Sequence, residues 1–293
     1  MISNQSISDS LIERSNGYAY TNLNFIKNLS TTIGFSYDAL RERSDFKENK
    51  FNPKFGMQWD ISSHLRMRFA FFETVKSSII ANQTLEPTQV AGFNQLFDDP
   101  NGTKAQRKGI GFDANITNNI FSGVEVSTRD LSVPLFRSDS IGTEKQKEKL
   151  YRAYLYWTPE PFLSMRSEAR LEDFSRAKDP TSLEPHQIQT LSIPTSINYF
   201  NSRGMVAKLT GTYVRQELER QNASNNAGTD NFFLLDATLG YRFPNRMGFL
   251  SLEGRNLLNE NFFFRNVNFY QSEAISPRFT PTRTFFARVT LNF

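Results

Sequence analysis

Apolar and polar residues alternate along the chain in segments of about ten residues. At 29–38, for example, Phe35 and Tyr37 fall on one face while Ser36 and Asp38 fall on the other. Successive side chains of a β-strand point to opposite faces, so such a segment is a strand with one apolar and one polar face. A strand of about ten residues is also long enough to cross a lipid bilayer when it is tilted.

About thirteen segments show this alternation. They are residues 18–26, 29–38, 52–60, 64–74, 107–116, 120–129, 149–157, 162–172, 188–199, 204–215, 231–242, 247–256 and 283–293. Short connections alternate with long polar ones, which are residues 39–51, 75–106, 130–148, 173–187, 216–230 and 257–282. Short turns on one rim and long loops on the other are typical of bacterial outer-membrane barrels. The pattern predicts an all-β, antiparallel transmembrane β-barrel in the bacterial outer membrane, with residues 1–293 as a single domain.

A soluble β-sandwich or solenoid is the alternative that also has alternating strands. Soluble strands are shorter, at about five or six residues, and nothing in a sandwich places every long loop on one edge. Aromatic residues also cluster near the strand ends, as at Trp59 and at 154–157, where the aromatic girdles of a membrane barrel lie. We therefore favour the barrel.

The composition fits this fold class. The chain has 38% hydrophobic residues, no cysteine and a mean hydropathy of -0.49. The mean hydropathy of a membrane barrel can be negative because about half of its strand side chains face a polar interior. No stretch approaches the roughly 18 to 20 apolar residues that a helical span needs. The net charge of +4, spread over 293 residues, gives no reason to expect a nucleic-acid partner.

The odd number of strands suggests a larger barrel. Single-chain bacterial barrels have an even number of strands, with both ends in the periplasm. Counting back from Phe293, the strand at 18–26 runs down from the outer surface, so its upstream partner lies at or before 1–7. We expect the chain to be the C-terminal portion of a larger barrel, with further N-terminal strands and any plug upstream. The first and last strands are then not natural neighbours.

The end of the chain carries a more specific pattern. The segment 233–243 is followed by a short turn and by 250–263, which contains the run Asn256-Leu-Leu-Asn259. These stretches resemble the end of TonB-dependent receptors, whose Asn-Leu-Phe-Asp run is matched with Leu258 in the Phe place and Asn259 in the Asp place. The segments 17–25 and 29–38 are similar to mid-barrel strands of the same family.

The resemblance implies a function in transport. Receptors of this family take up a scarce solute such as a metal chelate, and the solute is a small molecule or a saccharide. They work with an upstream plug and a periplasmic energy-coupling protein. An export or passive porin barrel attached to a periplasmic helical-repeat region stays open as the alternative, and the upstream sequence would discriminate between the two.

The last strand is similar to the closing strand of that family. Its terminal aromatic residue is read by the barrel-insertion machinery of the outer membrane. We expect Arg288 to face the lumen and the opposite face to contact outer-membrane lipid. The insertion signal is predicted at Phe285, Ala287, Val289, Leu291 and Phe293.

No catalytic or metal-binding motif stands out, so the sequence predicts neither an enzyme nor a cofactor. The two histidines, His64 and His186, fall on opposite rims of the predicted barrel and cannot share a metal ion. Neither a phosphate-binding glycine loop nor a nucleophile elbow is present in the sequence.

Two groups of residues are candidates for binding the solute. In the long connection that contains Gln83–Phe97, the candidate ligand contacts are Phe93, Asn94, Gln95 and Phe97, although a self-packed loop is the alternative. Inward positions of the strands form a net basic wall, which would attract an anionic cargo unless its charges pair with one another, with water or with a plug. The wall comprises Arg66, Arg68, Arg152, Arg166, Arg170, Arg242, Arg255 and Arg288.

Overall fold

The computed structural model describes residues 12–42, 46–76, 86–95, 99–136, 141–177, 185–220, 228–265 and 278–292. Within these ranges the chain is built almost entirely from β-strands. In chain order they are β1 (Ile12–Ile26), β2 (Leu29–Glu42), β3 (Phe46–Asp60), β4 (Leu65–Val75), β5 (Gln89–Val90), β6 (Phe93–Asn94), β7 (Lys104–Thr117), β8 (Ile120–Phe136), β9 (Ile141–Glu160), β10 (Leu163–Arg176), β11 (Pro185–Phe200), β12 (Met205–Arg220), β13 (Gly228–Arg242), β14 (Gly248–Arg255) and β15 (Thr284–Leu291).

Thirteen of these strands form one antiparallel sheet. Its order follows the chain from β1 to β4 and from β7 to β15, so sequence neighbours pair, and β5 pairs only with β6. Each of the thirteen predicted segments corresponds to one of these strands, which confirms the predicted fold class. β1 and β15 stand at the two ends of the strand order. Their relation in the intact protein stays a prediction.

The predicted long loops are wrong in extent. β2 continues to Glu42 and β3 begins at Phe46, so most of the predicted loop 39–51 is strand. The predicted loop 130–148 is also largely strand, and strands extend into both ends of the predicted loops 173–187 and 216–230. Where a strand extends beyond the bilayer, both of its faces meet polar surroundings, so the hydropathy alternation fades while the hydrogen-bonded ladder continues.

The two faces of the sheet have the polarity that was predicted. On β2, Phe35 and Tyr37 are 44% and 48% exposed, whereas Ser36 and Asp38 are 1% and 4% exposed. On β3, Phe51 is exposed while Asn52 is buried. A soluble protein buries its apolar residues and exposes its polar ones. The reverse arrangement is that of a sheet whose outer face contacts lipid.

Short turns and exposed aromatic residues lie at one end of the strands. The two-residue turn between β1 and β2 contains Asn28, whose φ is +67°, a left-handed conformation that asparagine tolerates. Exposed rings flank the short turns at the ends of β3, β9, β11 and β13, where an aromatic girdle is expected. They are Trp59, Trp157, Tyr199, Phe200 and Tyr241.

Two compact units divide the chain. The first takes Met1–Trp59, Arg68–Gly109 and Arg129–Gln146, and the second takes Asp60–Met67, Ile110–Thr128 and Lys147–Phe293. The candidate sites below each lie within one unit. Among the described residues, no helix has the length and apolar character needed to cross a membrane.

Candidate functional site

A cavity of about 310 Å³ lies on the polar face of β10, β11 and β12 in the second unit. Antiparallel pairing brings the side chains of three strands into rows across this face. Arg166 pairs with Ser196, which pairs with Thr210, and Arg170 pairs with Ser192. Side chains that are directly opposite in such a ladder share one face. The register therefore places arginines beside hydroxyl groups.

Pro194 lies between these two rows on β11. It lines the cavity and pairs with Thr212 of β12. Proline has no N–H group to donate to a ladder. On the β10 side, the ladder indeed has no partners between Ser167–Thr195 and Arg170–Ser192. The pairing between β10 and β11 is therefore interrupted at this point, beside the cavity.

Two carboxylates hold the basic side chains around the cavity. Glu168 receives a bidentate pair from Arg152, with Nε–Oε1 at 2.9 Å and Nη2–Oε2 at 3.0 Å, and a further bond from Arg166 at 3.1 Å. Glu172 accepts hydrogen bonds from Arg170 at 3.1 Å and, through its other oxygen, from Arg278 at 2.8 Å. These shared carboxylates fix the guanidinium groups but leave an excess of positive charge.

Lys208 adds a further positive charge to the cavity wall. It lies on β12, where it pairs with Asn198 of β11 and Thr238 of β13. Its ammonium group has no hydrogen bond or ion pair with any residue in the described ranges. Among the described residues, the charged side chains that line the cavity are four cations, Arg166, Arg170, Lys208 and Arg278, and one carboxylate, Glu168, a net charge of +3.

The loop after β14 carries Arg278 to the cavity, and Asn256 anchors that loop. The Asn256 side chain donates to the carbonyl oxygens of Glu260 at 2.9 Å and Thr280 at 3.3 Å. It also accepts from the Glu260 N–H at 2.8 Å. Asn259 accepts a hydrogen bond from the Arg283 backbone at 3.2 Å. The Asn256-Leu-Leu-Asn259 run is therefore a structural clamp.

Aromatic packing holds the same loop against the sheet. Phe232 of β13 stacks on Phe262 with ring centroids 4.1 Å apart. Phe279 meets Phe264 edge-on at 4.8 Å and Phe232 at 5.7 Å. Such ring pairs stabilise a fold beyond simple area burial. They fix the position of the neighbouring Arg278, whose guanidinium lies 5.4 Å from the Phe279 ring centre.

In the first unit, a small hairpin occupies the polar face. β5 and β6 pair through Val90 and Phe93, and the turn between them, Ala91–Gly92, has φ values of +48° and +83°. Positive φ at both turn positions defines a type I′ hairpin. Phe93 lies between the guanidinium groups of Arg68 and Arg107, which are 5.0 and 5.6 Å from its ring centre.

Charged and polar groups fix the base of this hairpin. Lys54, with a side chain only 1% exposed, pairs with Glu86 at 3.2 Å and donates to the Glu73 carbonyl at 2.8 Å. The Tyr20 hydroxyl donates to Glu86 at 2.5 Å. Gln95 donates to the Pro87 carbonyl at 2.7 Å. A buried ammonium with these partners is satisfied, and losing the hairpin would leave it without its carboxylate.

The predicted ligand contacts of the long loop lie in this hairpin. Phe93 and Gln95 are 1% and 4% exposed, so their side chains pack within the first unit, whereas Asn94 is exposed. Phe97 lies outside the described residues. Ligand contact by Phe93 or Gln95 requires the hairpin to move. Their role in binding stays a prediction, and the arrangement is that of the self-packed alternative.

The residues of the predicted basic wall do not form one site. Arg166 and Arg170 meet at the cavity, with Arg152 beside them, and Arg68 lies on the hairpin. Arg66 pairs with Asp60 at 2.6 Å beside a short turn. Arg255 pairs with Glu253 at 2.6 Å and lies over Phe286. Arg242 lines a separate cavity of about 300 Å³ next to the Pro244–Arg246 turn. Much of the wall is therefore internally paired.

The sequence did not predict Arg278 or the hydroxyl residues of the cavity as binding residues. Arg278 lies in a segment read as a polar external loop, and only the folded positions of Glu172 and Ser192 bring it to the cavity. Ser192 and Thr212 were visible as polar strand positions. The sequence held no signal that they adjoin one cavity.

The register of the last strand places Ala287 and Arg288 on opposite faces of the sheet. Ala287 pairs with Leu252, which is exposed and pairs in turn with Leu239 of β13. Arg288 pairs with Ser251 on the opposite face. Every residue of β15 after Thr284 is exposed, so exposure does not distinguish the two faces, and which face meets lipid stays a prediction. Phe293 lies outside the described residues. The role of this strand as an insertion signal stays a prediction.

Across the described ranges, no group of three or more His, Cys, Asp or Glu residues is arranged to hold a metal ion. His64 lies exposed at the turn before β4, and His186 lies at the start of β11.

The exposed apolar face, the polar opposite face and the chain-ordered antiparallel strands define the wall of an outer-membrane β-barrel. The fold is similar to that of two solved transport receptors of the TonB-dependent type. The FrpB iron transporter from Neisseria meningitidis aligns with 86% of this chain at a TM-score of 0.61 and 14% identity. The ferric-catecholate import receptor Fiu from E. coli K12 aligns with 86% of it at a TM-score of 0.57 and 14% identity.

This chain spans 42% of the length of FrpB and 41% of the length of Fiu. No protein-family model and no curated protein matches the sequence. At the level of the fold, the predicted resemblance, the β-barrel class and the outer-membrane localisation are confirmed.

Proposed function

We propose that this chain forms part of the wall of an outer-membrane uptake receptor that imports an anionic solute such as a ferric chelate. The observation that carries the proposal is the net positive cavity on the polar face of β10, β11 and β12. A low-dielectric wall lined with one sign of charge raises the local concentration of a solute of the opposite sign. The fixed guanidinium groups of Arg170 and Arg278 would provide that attraction.

The fold supports transport as the class of function. Fiu is named as a ferric-catecholate import receptor and FrpB as an iron transporter, and both share the strand arrangement of this chain. In this proposal residues 1–293 belong to a single barrel domain that an upstream plug closes. A periplasmic energy-coupling protein opens the plug, and the barrel-insertion machinery places the protein in the membrane.

Uptake by intact cells tests the proposal. Cells that lack the gene, and cells complemented with the full-length protein, are given a radiolabelled ferric chelate with and without an uncoupler. We expect uptake only in the complemented cells, and its loss with the uncoupler. Equal uptake by both strains would contradict the proposal. Uptake that the uncoupler does not affect would instead identify a passive porin.

Variants of the cavity give a second readout. Arg170→Gln in the full-length protein should lower the initial uptake rate by about tenfold, because it removes a fixed positive charge from the route. Arg66→Gln is the matched control, since Arg66 is paired with Asp60 beside a short turn and lies outside the cavity. Equal losses in both variants, at equal amounts of protein in the membrane, would contradict a role for the cavity.

A further inference from the structure

The cavity on β10, β11 and β12 has a chemistry more specific than a positive charge. Its wall combines the fixed cations Arg170 and Arg278, Lys208, which has no partner among the described residues, and the hydroxyl groups of Ser192 and Thr212. Ser192 and Thr212 are buried at the floor. Guanidinium and ammonium groups bind carboxylate or phosphate oxygens, while hydroxyl groups both donate and accept hydrogen bonds.

The arginines are held ready for a ligand. Glu172 uses one oxygen for Arg170 and the other for Arg278, so both side chains are ordered before any ligand arrives. Each guanidinium has five N–H donors, and one carboxylate oxygen occupies only part of that set. Arg278 also donates to the Ser192 hydroxyl at 3.4 Å, a long and weak bond that a better acceptor would replace.

The size of the cavity limits the ligand. A volume of about 310 Å³ is at the lower end of the range of small-molecule pockets, which is about 300 to 1,000 Å³. A large chelate does not fit entirely, whereas a single sugar-sized group does. The hydroxyl-lined floor suits a ligand that carries hydroxyl groups of its own, and the cations above it suit an oxyanion.

From these observations we infer that the cavity binds the oxyanion of a small polyhydroxylated acid, a sugar phosphate or a sugar acid, without needing a metal ion. The inference deepens the proposed transport function, on which it rests, by assigning the chemical class of the group recognised on the polar face. Lys208 closes on the oxyanion, because it is the cation that has no partner among the described residues. Arg170 and Arg278 bind it in fixed positions.

Equilibrium dialysis with the full-length protein in detergent tests the inference. The probes are radiolabelled glucose 6-phosphate, glucuronate and glucose, all without metal and with a chelator present. Binding of either acid at least about tenfold tighter than glucose supports the inference, and the preferred acid shows whether phosphate or carboxylate is the natural oxyanion. Equal binding of all three probes, or no binding of either acid, would overturn it.

Variants show whether binding occurs at this cavity. Lys208→Gln should weaken acid binding by about tenfold, whereas Lys208→Arg should retain most of it because the charge is kept. Arg255→Gln is the control, since Arg255 lies outside the cavity and pairs with Glu253. Undiminished binding by Lys208→Gln would overturn the inference.

The binding and uptake experiments distinguish failure of this inference from failure of the proposed ferric cargo. Loss of ferric-chelate uptake on deletion of the gene, with no binding of metal-free acids, would overturn this inference and leave the transport proposal standing. Binding of metal-free acids without ferric-chelate uptake would overturn the proposed ferric cargo and support the inference.

Discussion

Asn256 shows how one side chain fixes a loop of this protein. It is 1% exposed, has a φ of +48°, and hydrogen bonds to both Glu260 and Thr280 through its amide group. Asparagine tolerates the left-handed conformation better than most residues do. The same residue thus satisfies the backbone of the loop and allows the chain to turn out of β14.

Replacing Asn256 with alanine should destabilise the protein by about 2 to 4 kcal/mol, because buried backbone groups lose their partners and alanine is strained at positive φ. Leu258→Ala is the control, since Leu258 belongs to the same run but is 53% exposed; it should cost less than about 0.5 kcal/mol. Urea unfolding of the full-length protein in detergent measures both. An equal loss in the two variants would contradict the clamp.

The last strand tests which face meets lipid. Val289 is 58% exposed and pairs with Leu250, whereas Arg288 pairs with Ser251 on the polar face. Val289→Arg should cost about 2 to 4 kcal/mol, because it places a charge in hydrocarbon, and Arg288→Gln should cost little. Refolding titrations into lipid vesicles give both values. Similar losses for the two changes would show that the facing is wrong.

At the scale of elements, the β5–β6 hairpin depends on two glycines of neighbouring strands. A side chain at Gly56 would place its Cβ 2.6 Å from Val90 Cγ1, and one at Gly109 would collide with the Phe93 ring. Neither glycine needs a positive φ; each provides space. The strands therefore accommodate the hairpin by omitting side chains where its apolar residues pack.

Gly109→Val should displace the hairpin while leaving the β7 strand able to form, since valine favours strands. Val90→Cys is a suitable reporter, because Val90 is buried and the chain has no cysteine of its own. Maleimide labelling of the reporter should become at least about tenfold faster when Gly109→Val is added. Gly17→Val is the control, because nothing lies within 4 Å of its added Cβ. No difference between these two backgrounds would contradict the packing.

The strands and their faces were predictable because lipid imposes the two-residue period. The outer ends of β2, β3, β8 and β9 were not, since polar residues on both faces look the same in a strand and in a loop. The packing of the β5–β6 hairpin could not be predicted either, because its partners Tyr20 and Lys54 are far from it in sequence. Arg278 at the cavity was missed for the same reason.

At the scale of the whole molecule, the burial of polar residues is what distinguishes this chain from a soluble protein. Arg14, Asn16 and Asn52 all donate to Asp38 on the polar face of the first unit. In the second unit, Glu168 is buried against its arginines. Buried polar groups are tolerated when they are hydrogen-bonded, and here they are held in networks while apolar rows are exposed.

The most direct test of this account is a spin-label scan along β2 in the full-length protein, reconstituted in lipid vesicles. Single cysteines are placed from Ile33 to Asp38, and collision with oxygen, which is enriched in lipid, is compared with collision with a water-soluble nickel complex. We expect labels at Ile33, Phe35 and Tyr37 to collide mainly with oxygen. Labels at the alternate positions, from Gly34 to Asp38, should show little collision with oxygen. Oxygen collision without a two-residue period, or nickel collision at all three apolar positions, would contradict a membrane-spanning wall.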